Sequence, residues 1–464
     1  MDPKHRFGHK GKYHQYPDPC SSYHSYMKKT LSLISAAIIC CTSVFAQKTY
    51  TPTPENIKAR EDFQDKKFGI FLHWGISSML ADGEWVQYHR NLNYKEYGEL
   101  ARGFYPSKFN AEEWVLAFKN AGAKYVTITS RHHDGFSMFG TKASPYNIVD
   151  ATPFGRDILK ELSEACAKHG LGLHLYYSHL DWAREDYPRG TSSPDFGRPV
   201  ETQSYDSYFK FMMTQLRELL TNYGPIGAMW FDGVFDHRRD NPPFEWRFPE
   251  QFDLVHSLQP TCLIANNHHH DLDYGEDFQI FERDLPGQNT AGLSAGQKVD
   301  LTVPLEMCNT MNGSWGYKIT DKAYKSTETL IQTLVKAAGM NTNLMLNIGP
   351  RPDGTLPEEA LQRLAEIGKW MDKYGDTIYG TRGGIIGPHP WGVTTQKDGR
   401  LFVHIMSLQD KALFLPLDKD VKVKKAIVFG EGTPVTVTKL KEGGVILGLP
   451  KVPEGPDYIV ELSI

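Results

Sequence analysis

Cysteine is scarce in this chain, and repeats, long apolar runs and blocks of like charge are missing. The chain has six cysteines among 464 residues, and only three of them follow residue 46, too few for a disulfide framework. The lack of a clustered basic patch argues against a nucleic-acid partner. The formal net charge is only −4, and 24 phenylalanines and 9 tryptophans supply ample material for a core. These features predict a mildly acidic globular protein with one large domain and a smaller one.

The N-terminal segment has the features of an export signal rather than of a folded element. Residues 1–26 are polar and lack apolar periodicity, which predicts a disordered extension. Met27 is followed by two lysines, by an apolar stretch from Leu31 to Cys41 that is too short to span a bilayer, and by a small-x-small-like end at Ala46. We therefore predict that translation starts at Met27, that cleavage follows Ala46, and that the mature protein is periplasmic or secreted.

A lipid anchor on Cys40 or Cys41 is less favoured than simple cleavage. Ile39 and Cys40 stand where a small residue is expected before a lipidated cysteine. Removing residues 1–46 takes away six basic and two acidic residues, so the formal net charge of the mature chain is −8. Three cysteines then remain in apolar segments, and we predict them to be buried free thiols: Cys166, Cys262 and Cys308.

Short apolar segments alternate with amphipathic helical patterns through the middle of the chain. Eight segments have the length and composition of strands: residues 68–75, 124–135, 171–179, 227–233, 261–267, 277–282, 305–310 and 343–350. Helical spacing of apolar residues marks five others: 111–122, 156–170, 206–224, 326–341 and 357–375. This alternation predicts a parallel sheet closed into a (β/α)8-like barrel over residues 47–384, irregular between residues 268 and 305.

The pattern changes after about Ile385. Short alternating strands follow, separated by Gly, Pro, Asp and Lys. They predict a small antiparallel β-sandwich over residues 385–464. Because this region lacks clustered exposed aromatics, we expect it to pack against the barrel rather than to bind sugar separately.

The predicted barrel strands end in polar or aromatic side chains. In a (β/α)8 barrel the active site lies at the carboxyl ends of the strands. Those ends carry His73, Trp74, His132, His133, Tyr176, Tyr177, Trp230, Asp232, Asn266, Asn267, Glu282, Glu306 and Asn347. A single buried histidine or asparagine is commonly structural, but packing alone does not predict such groups on all eight strands. The set suits glycoside hydrolysis, in which two carboxylates flank the scissile bond.

The histidines in RHHDG and NNHHHD raise a metal site as an alternative. Adjacent residues on a strand point to opposite faces, so neighbouring histidines chelate one ion poorly. The set also differs from the ligands expected of a zinc site. We therefore predict no metal and no other cofactor, and we interpret His268, His269 and His270 as part of a surface loop.

Six segments follow one another along most of the predicted barrel. They are FGIFLHWG, DGEWVQY, TSRHHDGFSMF, YYSHLDW, MWFDG and LNIGPRPDG. In this order they resemble glycoside hydrolase family 29, the retaining α-L-fucosidases. The resemblance implies an exo-acting enzyme that hydrolyses terminal α-L-fucose from fucosylated glycans through a covalent fucosyl-enzyme. It also implies a barrel with a small C-terminal β domain. Two carboxyl groups about 5–5.5 Å apart are expected of such a retaining pair.

The resemblance also implies roles for individual residues. Asp232 matches the nucleophile, and Glu282 in FQIFERDLPG matches the acid/base, with Glu306 as its rival at a neighbouring strand end. Trp315 matches an aromatic near the fucose methyl group, and His268 stands where family members often carry arginine. Further positions match fucose-binding residues: His73, Glu84, Trp85, His132, His133, Tyr177 and Trp230.

A fucosylated glycan is therefore the expected partner, and we expect neither a nucleic acid nor, after signal removal, a membrane. The alternative function is a barrel that binds fucosylated glycans without cleaving them. The presence of both Asp232 and Glu282 argues against that alternative.

Overall fold

The computed structural model describes residues 50–464. The predicted N-terminal extension, the signal sequence and its cleavage site after Ala46 lie outside these residues. Within them, no helix combines the length and the apolar character that crossing a membrane requires.

Eight parallel strands form the larger sheet. They are β1 (Phe68–Leu72), β2 (Tyr125–Arg131), β3 (Gly172–Ser178), β4 (Ala228–Asp232), β5 (Leu263–Asn266), β6 (Gln279–Glu282), β7 (Leu305–Thr310) and β8 (Thr342–Ile348). Their order is β5-β4-β3-β2-β1-β8-β7-β6, so the first and last strands of the barrel pair with each other. The eight predicted strands and the barrel architecture are confirmed.

Helices cover this sheet. Those of the described residues are α1 (Pro54–Lys66), α2 (Val86–His89), α3 (Tyr94–Gly98), α4 (Ala111–Asn120), α5 (Ile158–His169), α6 (Tyr205–Asn222), α7 (Phe248–Leu258), α8 (Thr327–Gly339) and α9 (Glu358–Tyr374). Local sequence sets their limits: at the start of α5 the Asp157 carboxylate accepts the Lys160 N–H at 3.0 Å, and Gly170 ends the helix with a φ of 73°. No helix lies between β5 and β7, where irregularity was predicted.

The seam between β5 and β6 is bridged by Asp277. Its backbone N–H donates to the Ile264 carbonyl at 2.7 Å, and its carboxylate accepts the Ile264 N–H at 2.8 Å. Arg60 and His256 hold the same carboxylate at 2.6 and 2.8 Å. The backbone and the side chain of this one residue therefore supply bonds that a strand partner would make, and the barrel is nearly closed.

Alternation along the strands divides side chains between the barrel interior and an outer layer that packs against the helices. Interior positions include Phe71, Tyr125, Tyr176, Trp230, Ile280 and Met345. Because residues i and i+2 share a face, Asp232 and Glu282 continue the interior rows that contain Trp230 and Ile280. The three predicted buried free thiols are confirmed at Cys166, Cys262 and Cys308.

The C-terminal region forms two antiparallel sheets. Their strands are β9 (Arg382–Gly383), β10 (Gly392–Lys397), β11 (Arg400–Ile405), β12 (Ala412–Leu415), β13 (Lys425–Val428), β14 (Thr436–Lys439), β15 (Val445–Gly448) and β16 (Tyr458–Ser463). The sheet orders are β13-β16-β11-β10-β9 and β12-β15-β14. One core joins the two sheets, with Leu413 and Leu447 from the smaller and Val403 and Val460 from the larger. This is the predicted β-sandwich; the domain boundary at residue 385 stays a prediction.

Candidate active site

A cavity of about 430 Å³ opens at the carboxyl ends of the barrel strands. Its volume is that of a small-molecule site. It is lined by Phe71, His73, Glu84, Trp85, His132, His133, Tyr176, Ser192, Trp230, Asp232, Phe235, Arg238, Arg239, Asn267, His269, Glu282, Leu293, Cys308 and Trp315. Most of the residues predicted from the sequence therefore lie in one pocket.

Strand register places Asp232 and Glu282 at the top of the barrel interior. Asp232 is the last residue of β4 and pairs with Ser178 of β3. Glu282 is the last residue of β6 and is level with Cys308 of β7. Both carboxylates are thus carried by rigid strand ends rather than by loops, which is how a reactive group is held in a defined position.

Glu306 lies one layer deeper and does not line the cavity. On β7 it is level with Ile280 rather than with Glu282, and two residues along a strand correspond to about 6.6 Å. Its carboxylate oxygens accept hydrogen bonds from the Tyr125 hydroxyl at 2.6 Å and from Trp230 Nε1 at 3.0 Å. Burial raises the pKa of Glu306 to about 7. The fold therefore brings Glu282, and not its rival, to the cavity.

Asp232 is surrounded by hydrogen-bond donors. The Tyr176 hydroxyl donates to Oδ2 at 2.8 Å, and the Gly233 N–H donates to Oδ1 at 2.8 Å. His133 Nε2 lies 3.7 Å from Oδ2. Burial, and then the nearby Glu282 carboxylate, raise the pKa of Asp232 to about 7, whereas the donors act in the opposite direction. Asp232 therefore ionises more readily when Glu282 carries a proton.

Asn267 lies between the two carboxylates. Its Nδ2 donates to Glu282 Oε2 at 2.9 Å, and its amide group also acts to lower the pKa of Asp232, against the effect of burial. His269 Nε2 is 3.6 Å from the same oxygen of Glu282, and Arg283 Nε is 4.0 Å from Oε1. Burial raises the pKa of Glu282. A raised pKa suits a carboxyl group that must hold a proton at neutral pH.

Three predicted histidines form one wall of the cavity, and two of their rings, those of His73 and His133, have partners that fix their orientation. His73 Nδ1 is 2.7 Å from Asn347 Oδ1, and His133 Nδ1 is 2.7 Å from Ser178 Oγ. Burial lowers the pKa of His73, His132 and His133, to about 3 for the first and the last. The rings are therefore neutral at neutral pH, and each can present a donor or an acceptor to a sugar hydroxyl.

The remaining predicted positions complete this wall. The Trp315 ring lies 5.2 Å from the His73 ring, and the Arg283 guanidinium lies 4.9 Å above it. The Glu84 carboxylate accepts the Gly316 N–H at 2.5 Å, which ties the loop after β1 to the loop after β7. Trp85 lines the cavity beside Glu84. Two loops thus cover the face of the barrel near Trp315.

Tyr177 does not reach the cavity, contrary to the sequence prediction. Its hydroxyl donates to Gln215 of α6 at 2.8 Å, and the Arg131 guanidinium lies 5.1 Å from its ring. Its neighbour Tyr176 lines the cavity instead and reaches Asp232. Adjacent strand residues face opposite sides, so only one tyrosine of YYSH can enter the pocket.

The interpretation of the three consecutive histidines as a surface loop is wrong for two of them. His268 is buried, and its Nε2 lies 2.9 Å from Glu276 Oε1. His269 adopts a φ of 61° and its ring lines the cavity, while His270 is exposed and stacks on His268. None of them belongs to a group of three or more potential metal ligands, and no such group occurs in residues 50–464. The absence of a cofactor stays a prediction.

Loop residues of the cavity were missed by the sequence analysis. Phe235, Arg238 and Arg239 lie on or just after the short helical turn Val234–His237 that follows β4. Ser192 and Leu293 come from longer loops. Loop residues have no periodicity from which the direction of their side chains could be predicted. Arg238 and Arg239, however, follow Asp232 closely in the sequence, and this could have indicated that they lie near the cavity.

A barrel whose strand ends hold two carboxyl groups among histidines and tryptophans has the arrangement that glycoside hydrolases use. Residues 37–376 match the model of the family described as alpha-L-fucosidase. The chain is 28% identical to human plasma alpha-L-fucosidase over 444 residues, which cover 87% of this chain and 89% of the human protein. It is 26% identical to an alpha-L-fucosidase of Dictyostelium discoideum, over 89% of this chain and 91% of that protein.

Solved structures agree with this assignment. Alpha-L-fucosidase isoenzyme 1 from Paenibacillus thiaminolyticus superimposes with a TM-score of 0.77 at 30% identity, covering 88% of this chain and 99% of that one. A trapped covalent intermediate of an alpha-L-fucosidase from Bacteroides thetaiotaomicron gives a TM-score of 0.77 at 26% identity, covering 89% of this chain and 97% of that one. The chain belongs to the alpha-L-fucosidase family of glycoside hydrolases.

Proposed function

We propose that this protein removes terminal α-L-fucose from fucosylated oligosaccharides or glycoconjugates with retention of anomeric configuration. The observation that carries the proposal is the placement of Asp232 and Glu282 on one cavity, each at the end of a barrel strand. Retaining glycosidases need two carboxyl groups close together, one as nucleophile and one as acid/base. The covalent intermediate trapped in the relative from Bacteroides thetaiotaomicron supports the same chemistry here.

In the first step the ionised Asp232 attacks the anomeric carbon and forms the fucosyl-enzyme bond. The bond between that carbon and the leaving oxygen breaks, and Glu282 gives its proton to the oxygen. In the second step the Glu282 carboxylate takes a proton from water, whose oxygen bonds to the anomeric carbon and displaces Asp232. Two inversions at the same carbon restore the original configuration.

The electrostatics of the pair support this division of roles. Tyr176 and Gly233 both donate to Asp232, and such bonds favour its ionised form. Repulsion between two nearby carboxylates is relieved when one of them is protonated, so the pair titrates as a unit. The reaction starts from the form in which Asp232 is ionised and Glu282 holds the proton, and the two donors to Asp232 favour that form.

The test of the nucleophile is chemical rescue of Asp232→Gly. This variant should lose hydrolysis, and azide should restore turnover of an activated aryl α-fucoside by attacking from the vacated side. The product should be the inverted β-fucosyl azide, identified by its proton coupling constants. Asp398→Gly is a matched control, since Asp398 lies in the turn between β10 and β11 with a φ of 51°, where glycine is accommodated. It should retain hydrolysis without azide.

A different result would change the proposal in a defined way. Formation of the α-fucosyl azide by Asp232→Gly would assign the nucleophile to another residue. If the unmodified protein bound fucosylated glycans but hydrolysed no fucoside, the alternative of a non-catalytic binding protein would replace the proposed enzyme.

We also propose that the chain is exported, with translation from Met27 and cleavage after Ala46, and that the mature protein is periplasmic or secreted. The two lysines, the apolar stretch and the small-residue end of the predicted signal support this. Intact-mass and N-terminal analysis of exported protein should give Gln47 as the first residue. A mature chain that still carried residues 1–26 would contradict the proposal.

A further inference from the structure

Two arginines lie at one rim of the candidate active site. Arg238 and Arg239 follow the helical turn Val234–His237 after β4, and both line the cavity that contains Asp232 and Glu282. Both side chains are exposed, so they face the opening of the cavity rather than its floor. Their charge is therefore available to a bound ligand.

No carboxylate in the described part of the chain neutralises these two arginines. Within residues 50–464, Arg239 makes no hydrogen bond or ion pair, and Arg238 donates to a neutral group, the His268 carbonyl oxygen, at 3.1 Å. The adjacent acid, Asp240, is bonded to His237 Nδ1 at 2.6 Å instead. Other surface arginines of the barrel are paired, such as Arg90 with Asp82 and Arg247 with Glu250. The rim thus carries two positive charges that the fold leaves unpaired.

This rim lies on the leaving-group side of the cavity. Arg238 donates a hydrogen bond to the backbone carbonyl of His268. The next residue along the chain is His269, and its Nε2 lies 3.6 Å from Glu282 Oε2. Glu282 must reach the oxygen that links fucose to the rest of the glycan, so groups beyond Glu282 face the leaving sugar. Burial lowers the pKa of His269 to about 4. Its ring is therefore neutral, and the positive charge on this side comes from the arginines.

We propose that Arg238 and Arg239 form a binding site for an anionic group on the leaving sugar, a sulfate ester or a carboxylate. The inference rests on the proposed fucosidase function and specifies the substrate class of the same site. A guanidinium presents a planar set of N–H donors that matches two oxygens of a carboxylate or sulfate. An acidic leaving sugar is held beside Glu282 by these donors, while the fucose ring occupies the wall of histidines and Trp315.

The test compares three substrates that share one fucose linkage. One has a neutral leaving sugar, the second carries an O-sulfate on that sugar, and the third carries a carboxylate. We expect kcat/KM for at least one anionic substrate to exceed that for the neutral one by about fivefold at low salt, the effect of an ion pair at a partly exposed site. The ratio should fall towards one in 1 M NaCl, where the Debye length is about 3 Å. The sulfate and carboxylate arms show which group the site selects.

Variants assign the preference to the arginines. Arg239→Gln removes no hydrogen bond made within residues 50–464, so it tests charge without disturbing the loop. It should lower the anionic-to-neutral ratio of kcat/KM, and Arg238→Gln/Arg239→Gln should bring it close to one. Arg102→Gln changes the net charge equally at a surface position paired with Glu99 and should keep the wild-type ratio.

The outcomes separate this inference from the proposed function. Equal kcat/KM for the neutral and both anionic substrates at low salt would overturn the inference alone. A preference that persisted in the double variant would also overturn it, because another group would then bind the anion. Absence of hydrolysis for every fucoside would overturn the proposed function and this inference together.

Discussion

The Tyr176 hydroxyl donates to Oδ2 of Asp232 at 2.8 Å, from the strand next to the one that carries the carboxylate. Tyr176 pairs with Trp230, two residues before Asp232, so its side chain rises from the layer below. The bond stabilises the ionised carboxylate and opposes the effect of burial on its pKa. It therefore increases the fraction of enzyme in which Asp232 is ready to attack.

Tyr176→Phe should raise the pKa of Asp232, because the variant loses a donor to the ionised form. Since Asp232 must be ionised to react, the acidic limb of the kcat/KM–pH profile should move to higher pH. A hydrogen bond to a charged group corresponds to a shift of about one pH unit. Tyr177→Phe is the matched control, because its hydroxyl bonds Gln215 outside the cavity. An acidic limb that moves equally in both variants would contradict this account.

Leaving-group chemistry should separate Glu282 from Glu306. Glu282→Ala should still be fucosylated by a dinitrophenyl fucoside, whose leaving group needs no proton. Its cleavage of natural glycans should fall by about 10²–10⁴-fold, the usual contribution of general acid catalysis. Added azide should then enter the second step and yield the retained α-fucosyl azide. Kinetics with both substrates and product analysis measure these effects.

Glu306→Ala serves as the comparison. Removing this buried acid breaks its bonds to Tyr125 and Trp230 and should lower stability, but it should not produce a selective loss with poor leaving groups. If Glu306→Ala shows that selective loss and Glu282→Ala does not, the acid/base roles must be exchanged. If neither variant shows it, the proton donor lies on a loop of the cavity.

The barrel strands could be predicted because short apolar segments and the helical patterns between them are properties of the local sequence. The choice between Glu282 and Glu306 could not be made in this way. Glu282 is the last residue of β6, and Glu306 is the second residue of β7. Glu306 lies one layer deeper because the pairing of β6 with β7 places it level with Ile280. Register is set by long-range pairing, which one strand's sequence does not specify.

Two other predictions from the sequence, that Tyr177 lines the cavity and that His269 lies in a surface loop, were wrong for similar physical reasons. Tyr176 and Tyr177 are adjacent residues of the same type. Side chains alternate between the two faces of β3, and the placement of β3 in the barrel decides which tyrosine faces inward. His269 enters the cavity because of its positive φ and because His268 is held by Glu276. Neither the loop conformation nor the contact between His268 and Glu276 has a periodic signal in the sequence. If the residues of β3 that face the barrel interior had been known, Tyr176 would have been chosen over Tyr177.

The buried Glu306 should make stability depend on pH. Its pKa in the folded protein is raised to about 7 from 4.5, so the folded state binds its proton more tightly than the unfolded chain does. The resulting stabilisation is complete below about pH 4.5 and is lost as pH rises to about 7. Relative to Glu306→Gln, the free energy of unfolding of the wild type should therefore fall by up to about 3 kcal/mol across this interval.

Denaturant unfolding at several pH values measures that difference. Glu61→Gln is the matched control, because it makes the same substitution at an exposed position of α1. A wild-type-minus-Glu306→Gln difference that stayed constant between pH 4.5 and 7 would show that Glu306 keeps the same protonation state when the protein folds.

Trp315 should recognise the methyl group of fucose. Its ring faces the cavity beside His73, at a centroid distance of 5.2 Å, and its backbone carbonyl is fixed by Asn347 Nδ2 at 2.7 Å. Trp315→Ala should reduce kcat/KM for an aryl α-fucoside much more than for the pentoside that lacks the methyl group. One methyl-sized group in an apolar pocket corresponds to about 1–3 kcal/mol, or roughly 5- to 150-fold in kcat/KM. Trp315→Phe keeps an apolar ring and should retain part of the discrimination. Equal losses for both sugars in Trp315→Ala would show that the ring positions the pocket as a whole and does not contact the methyl group.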